Sequence, residues 1–88
     1  MAAKTLATVE IKFPTGNKEI EMELKKGFQI EDCEKDTVVV VNLIDGQQLT
    51  GIYKGMADED VLLGTLDGKL TLGYKIHWVS NYFEEIKK

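Results

Sequence analysis

The sequence predicts an all-β protein built as a small, strongly bent barrel. Three features support this fold class: stretches of alternating apolar and polar residues, turn residues between them, and a glycine inside one predicted strand. The central stretch, Val38 to Tyr53, begins with four valines, whose β-branched side chains suit a buried, pleated surface. Asp45-Gly46 then supplies the positive φ of a tight hairpin turn. Gly51 removes a side chain where the second strand must bend or admit another backbone.

Length and composition predict a single soluble domain, residues 1–88, with 43% hydrophobic and 30% charged residues. The first four residues are too few and too polar for the apolar region of a signal peptide, and no apolar run is long enough to span a membrane. Cys33 is the only cysteine, which excludes an intramolecular disulfide and fits a reducing compartment. We therefore expect a cytoplasmic protein without a membrane partner.

The charge balance argues against general nucleic-acid binding. Fifteen acidic residues outnumber eleven basic ones, which gives a net charge of −4, and all eleven basic residues are lysines. Arginine, whose planar guanidinium group suits phosphate and guanine, is absent. Any nucleic-acid binding would therefore depend on a local patch, repeated by symmetry in an oligomer.

The N-terminal region, residues 6–24, is predicted to form an extra β-hairpin. Leu6 to Phe13 and Lys18 to Leu24 both alternate between apolar and polar residues, and Pro14-Thr15-Gly16-Asn17 between them is a turn by composition. The outward positions of the second strand are glutamates, so the outer face of the hairpin should be strongly acidic.

Residues 28–36 show no period and are predicted to be a connection with one helical turn, anchored by Phe28 and Ile30. Cys33 lies in this connection. Its neighbours are carboxylates, whereas reactive thiols need cationic neighbours that lower their pKa. We therefore interpret Cys33 as a small, buried or half-buried residue and not as a nucleophile.

The barrel itself is assigned to residues 37–86. After the central hairpin we expect a turn from Gly55 to Glu59, a strand from Val61 to Leu66, a second tight turn at Asp67-Gly68 and a long strand from Lys69 to Trp78. Tyr82 to Ile86 is either a last strand or a closing helical turn.

The Lys69–Trp78 stretch has the most regular alternation in the chain. Its apolar positions, which predict a face directed at the core, are Leu70, Leu72, Tyr74, Ile76 and Trp78. Lys75 and His77 fall on the opposite, polar face.

The stretch from Val41 to Met56 resembles the first Sm motif: an apolar strand, Asp-Gly, and a glycine inside the next strand. Tyr74-Lys75-Ile76-His77 is similar to the Tyr-Lys-His signature of the Hfq branch, with one extra residue before the histidine. The resemblance, which covers roughly residues 38–86, implies a bent, five-stranded SH3-like barrel. It also implies rings in which the fourth and fifth strands of neighbouring subunits pair.

The chain also departs from this family. Where Sm proteins commonly hold a uracil, the matching positions are Ala57, Glu59 and Val61, and the Arg-Gly of the second Sm motif is missing. A predicted hairpin replaces the helix that usually precedes the barrel. These differences weaken the expectation of RNA binding more than the expectation of fold.

Catalysis is not expected. One histidine, one serine and one cysteine lie at no spacing that suggests a nucleophile and its base. The Asp58-Glu59-Asp60 cluster is interpreted as a solvated turn, and no metal or other cofactor is predicted.

Two function classes stay open. One is an Sm-like homo-oligomer that binds single-stranded RNA weakly through Lys75 and His77, near which aromatic side chains could stack on bases. The other is an SH3-like structural or protein-interaction module that has no nucleic-acid role. Both predict self-association through strand edges, as a ring or, if the hairpin covers one edge, as a dimer.

Overall fold

The protein is all-β in a computed structural model that describes residues 4–87, where seven antiparallel strands form one sheet. The strands are β1 (Leu6–Phe13), β2 (Gly16–Lys26), β3 (Val38–Leu43), β4 (Gln48–Ala57), β5 (Asp60–Gly64), β6 (Thr71–Lys75) and β7 (Val79–Glu85). Short 3-10 helices at Gly27–Asp32 and Ile76–Trp78 interrupt them. The strand order is β1-β2-β7-β3-β4-β5-β6, so β1 and β6 are the two edges and the sheet is open. No helix within residues 4–87 has the length and apolar character needed to cross a membrane.

The N-terminal hairpin is confirmed, and β2 extends two residues beyond the predicted end at Leu24. Its outer face is acidic, with Glu10 directly opposite Glu19 across the strand pair. The second half of β2 pairs with β7, from Met22 opposite Glu85 to Lys26 opposite Asn81. Because β3 pairs with the other side of β7, the hairpin leaves neither edge of β7 free.

Strand β3 is buried on both faces. Val39 and Val41 belong to the larger core, whose most buried members include Ile30, Val61 and Tyr82. Val38 and Val40 point the opposite way, into a second core. The hairpin supplies Ile11 and Met22 to that second core. The run of four valines therefore belongs to a strand that is covered on both faces, and the hairpin covers the face of Val38 and Val40.

Strand β4 has a close approach to β5 at one position and a bulge at another. A β-carbon added to Gly51 would lie 2.8 Å from the carbonyl oxygen of Gly64, so the predicted close approach of another backbone is confirmed. A bulge follows between Tyr53 and Gly55, where Gly55 has a φ of +108°. The predicted turn from Gly55 to Glu59 is shorter in the structure, because β4 continues to Ala57 and the turn is Asp58-Glu59. The bulge lets the strand change direction without ending.

The predicted Lys69–Trp78 strand is wrong at both ends. Strand β6 covers only Thr71–Lys75, and the chain then turns through the second 3-10 helix into β7. The face predicted to be core is also wrong in part, because Leu70, Leu72 and Trp78 are 61%, 45% and 45% exposed. Leu72 lies on an edge strand, and Leu70 and Trp78 lie just outside β6, so neighbouring strands shield these side chains less than those of a central strand.

The connection before β3 contains the predicted helical turn, as a 3-10 helix. Ile30 is fully buried and is the anchor of this segment. Phe28 is 67% exposed, so its predicted anchoring role is wrong. The last segment is a strand and not a helical turn, and it begins at Val79, before the predicted start at Tyr82.

Candidate interaction surfaces

The turn residues singled out in the sequence shape the β3–β4 connection. Gly46 has a φ of +93°, which confirms the positive φ predicted at this turn. The side-chain Oδ1 of Asp45 accepts a hydrogen bond from the backbone N–H of Gln47 at 2.9 Å. Asp45 and Gly46 therefore set the backbone conformation of this turn, and like Gly51 they have a structural role.

Lys75 is the last residue of β6 and is exposed. Its ammonium Nζ lies 3.5 Å from Oδ1 of Asp60, the residue opposite it on β5. Part of its positive charge is therefore offset by a neighbouring carboxylate within the chain. A ligand phosphate would compete with Asp60 for this lysine.

His77 lies in the middle of the second 3-10 helix, so it does not continue the alternation of β6. Its ring meets the Trp78 ring edge to face, with 6.1 Å between centroids. The imidazole lines a shallow depression together with Lys26 and Phe28, and Glu31 is also part of that wall. Lys75 is not among the residues that line this depression; it ends β6, and His77 follows it in the 3-10 helix.

Exposed apolar side chains flank the second 3-10 helix on its other side. Ile44, in the β3–β4 turn, is 68% exposed, and its N–H donates to the carbonyl oxygen of Trp78 at 2.8 Å. The two residues line a small depression with Leu43 and Asp45. Isolated exposed apolar residues are common on protein surfaces, so this contact alone does not identify a ligand.

The free edge of β6 is unpaired backbone that lies next to the exposed leucines Leu70 and Leu72. Ile76 N–H donates to Glu59 C=O at 2.8 Å, and Thr65 N–H donates to Leu70 C=O at 2.8 Å. Because hydrogen bonding alternates along an antiparallel pair, Leu72 and Tyr74 also bond to β5. The N–H and C=O groups of Thr71, Gly73 and Lys75 therefore point outward, and no strand among residues 4–87 pairs with them.

Cys33 is buried, which confirms its interpretation as a small core residue. Burial raises the pKa of its thiol to about 11, and the nearby Glu84 carboxylate adds to the rise. A thiol with so high a pKa has very little thiolate at neutral pH and is a poor nucleophile. Burial also raises the pKa of Tyr82, whose hydroxyl has no hydrogen-bond partner within the described chain.

No cluster of three or more histidine, cysteine, aspartate or glutamate side chains arranged to hold a metal ion occurs within residues 4–87. Comparisons with known proteins find no matching family model, no matching curated protein and no matching solved structure. We therefore infer the function from the surfaces of the protein.

The exposure of Leu70 and Leu72 and the Phe28–His77 depression were not predicted from the sequence. An alternating pattern identifies which residues share a face but not whether another layer covers that face. One signal was present for the depression: the one-residue mismatch to the Tyr-Lys-His signature coincides with the change from strand to 3-10 helix at Ile76.

Proposed function

We propose that this chain is a divergent Sm-like protein without enzymatic activity that works by associating with itself through a strand edge. The observation that supports this most is the free edge of β6, flanked by the exposed side chains of Leu70 and Leu72. Unpaired strand edges readily accept another strand, and proteins that stay monomeric usually protect them. Strand β6 has no proline, no bulge and no inward-pointing charge.

The arrangement of β3 to β7 supports the Sm-like part of the proposal. These five strands include a meander from β3 to β6, and the last strand, β7, returns to pair with β3. The bulge at Gly55 lets β4 change direction, and Gly51 lets β4 lie close to β5. An SH3-like barrel has the same need for a strongly bent second strand.

The hairpin favours a small assembly over an Sm-type ring. In such a ring, the edge of the fifth strand receives the fourth strand of a neighbour. Strand β7, which takes the place of that fifth strand, is already paired with β2 and β3. Self-association must then use the edges that stay free, β6 and β1. A dimer follows more readily than a ring from this arrangement.

Analytical ultracentrifugation across a range of protein concentrations tests this function. We expect a mass that rises with concentration above the 9.9 kDa of the monomer. Substituting Leu70 and Leu72 together by lysine should abolish the rise, because charges on an edge strand oppose pairing. Leu6→Lys is the matched control, since Leu6 is a similarly exposed leucine (53%) on the other edge strand, β1.

A second candidate function is weak binding of single-stranded RNA. Exposed Phe28 and His77 beside Lys26 combine a cation with rings on which bases could stack, and this observation favours RNA over a purely structural role. The Asp60 contact reduces what Lys75 can contribute. The net charge of −4 means that any binding should be modest and should weaken as salt increases.

Fluorescence anisotropy with short uridine-rich and adenosine-rich RNAs, at low and high salt, tests this second function. We expect the Lys75→Ala, His77→Ala double variant to lose binding, and His77→Ala alone to account for most of the loss. Lys12→Ala, which removes a lysine of β1 that does not line this depression, is the control for net charge. Absence of binding at low salt would leave the protein-interaction module as the function.

A further inference from the structure

We infer that the partner of the β6 edge is the β6 strand of a second copy, paired antiparallel about a twofold axis at Gly73. This inference rests on the self-association proposed above and adds its geometry. It begins from the outward backbone groups of Thr71, Gly73 and Lys75. These residues recur at every second position, which is the spacing at which an antiparallel partner forms its hydrogen-bonded pairs.

A twofold axis at Gly73 uses all of these outward groups. Gly73 then faces Gly73 of the second copy, and Thr71 of each copy faces Lys75 of the other. Each of the three residues both donates and accepts a backbone hydrogen bond. Moving the axis to Leu72 would leave Thr71 opposite Gly73 and would bring Lys75 opposite Lys69, outside the strand. The register centred on Gly73 is therefore the one that pairs the full length of β6.

Charge also favours this register. Lys75 is the only charged side chain within β6, and the axis at Gly73 places it opposite a threonine and not opposite another lysine. Like charges directly opposite each other in a sheet are destabilising, whereas here none face one another. Asp60 continues to neutralise Lys75 from the β5 side.

The apolar side chains of β6 match one another in the same register. Leu72 of one copy lies opposite Tyr74 of the other, on the face continuous with the larger core. Leu72 is 45% exposed in the single chain, so pairing covers apolar surface that the chain leaves in contact with water. Aromatic and aliphatic residues opposite each other stabilise antiparallel pairs.

Position 73 suits close approach at the axis. Strand β1, the other free edge, carries the charged side chains of Glu10 and Lys12 beside its outward backbone groups, as protected edges commonly do. Strand β6 has glycine at its central position, so no charged side chain lies beside the backbone groups at the axis. The interface is short, and we therefore expect a concentration-dependent dimer and not a permanent one.

Disulfide trapping tests the register in a Cys33→Ala background, which removes the native thiol. Directly opposed, hydrogen-bonded residues have α-carbons about 5.5 Å apart, within the range that a disulfide spans. A β-carbon at position 73 would meet nothing closer than 3.6 Å within its own chain, so Gly73→Cys should fold. We expect Gly73→Cys to form covalent dimers under mild oxidation.

Thr71→Cys is the matched control. Two copies of residue 71 would be displaced by roughly 14 Å along the strands, beyond the reach of a disulfide. It should not dimerise by itself, but it should cross-link to Lys75→Cys when the two variants are mixed.

Gly73→Pro is a second variant that removes only an outward N–H, and a proline at such a position is tolerated on an edge strand. It should keep the circular dichroism of the wild type and weaken dimerisation about tenfold or more.

The results separate failure of the register from failure of self-association. The wild-type chain could associate while Thr71→Cys forms disulfide-linked dimers with itself as efficiently as Gly73→Cys does. That result would overturn the twofold axis at Gly73 and would leave the proposed function standing. Association that Gly73→Pro does not weaken would also overturn it and would point to β1. A chain that stays monomeric at every concentration would overturn both.

Discussion

Gly51 on β4 lies so close to the carbonyl oxygen of Gly64 on β5 that no side chain fits between them. A β-carbon at position 51 would stand 2.8 Å from that oxygen and 3.4 Å from the β-carbon of Leu63. Real β-carbons do not approach a carbonyl oxygen so closely, and the obstacle is backbone and not a flexible side chain. Two neighbouring strands would have to separate to admit any larger residue.

We therefore expect Gly51→Val to be strongly destabilising. Overpacking typically costs about 1–3 kcal/mol, and displacement of the β4–β5 ladder should place this variant at the upper end or beyond. Denaturant unfolding followed by circular dichroism measures the loss. Gly73→Ala is the control, since its new β-carbon meets nothing within 3.6 Å. A Gly51→Val chain as stable as the wild type would contradict the close approach of the two strands.

The N-terminal hairpin should be part of the cooperative fold and not an appendage. Ile11 is 2% exposed in the second core, against Val38 and Val40. Ile11→Ala should therefore cost about 2–5 kcal/mol, as truncation of a buried isoleucine commonly does. Leu6→Ala, on the same strand but 53% exposed, should cost far less. Equal and small effects of both changes in denaturant unfolding would mean that the hairpin does not cover β3.

Cys33 should react slowly with thiol reagents in the folded protein. Burial raises its pKa to about 11 from the ordinary value of 9.0, which lowers the thiolate fraction at neutral pH about 100-fold. Alkylation by iodoacetamide at pH 7.5 should therefore be slow in buffer and rapid in denaturant. Fast alkylation of the folded chain would contradict the burial of this thiol.

The same pKa shift predicts a loss of stability in alkaline solution. Because the folded state holds the Cys33 proton more tightly than the unfolded state, its contribution is complete below about pH 9 and falls as pH rises toward 11. Burial raises the pKa of Tyr53 and Tyr82 as well, and their contribution falls in the same direction. Melting temperatures at pH 7.5, 9 and 10.5 should decrease in that order. Cys33→Ala should show a shallower decrease between pH 9 and 10.5, and an unchanged slope would contradict the assignment to Cys33.

Local sequence patterns predicted strands and turns well where a pattern has only one or two possible structural consequences. Alternation over Leu6–Phe13 specifies a strand with one buried face, and the structure contains that strand with the same bounds. Asp45-Gly46 specifies a turn, and Gly46 has the required φ. Gly51 specified either a bend or a close approach, and the contact with Gly64 identifies the second of these at that position.

The remaining errors concern which layer covers which face. The run from Val38 to Val41 indicated burial, but only the packed hairpin explains why both faces are buried. Leu70 and Leu72 have the alternation of core residues and nevertheless lie at an uncovered edge. His77 is predicted to continue the alternation of β6, and it lies instead in a 3-10 helix. Long-range packing decides each of these points, and neighbouring residues in the sequence do not encode it locally.

Sedimentation equilibrium of the wild-type chain, from low to high micromolar concentration, tests self-association through the β6 edge most directly. We predict an average mass that rises from 9.9 kDa toward twice that value. The Leu70→Lys, Leu72→Lys double variant should stay at the monomer mass, and Leu6→Lys should behave as the wild type. A wild-type mass that remains at the monomer value throughout would contradict the proposed function.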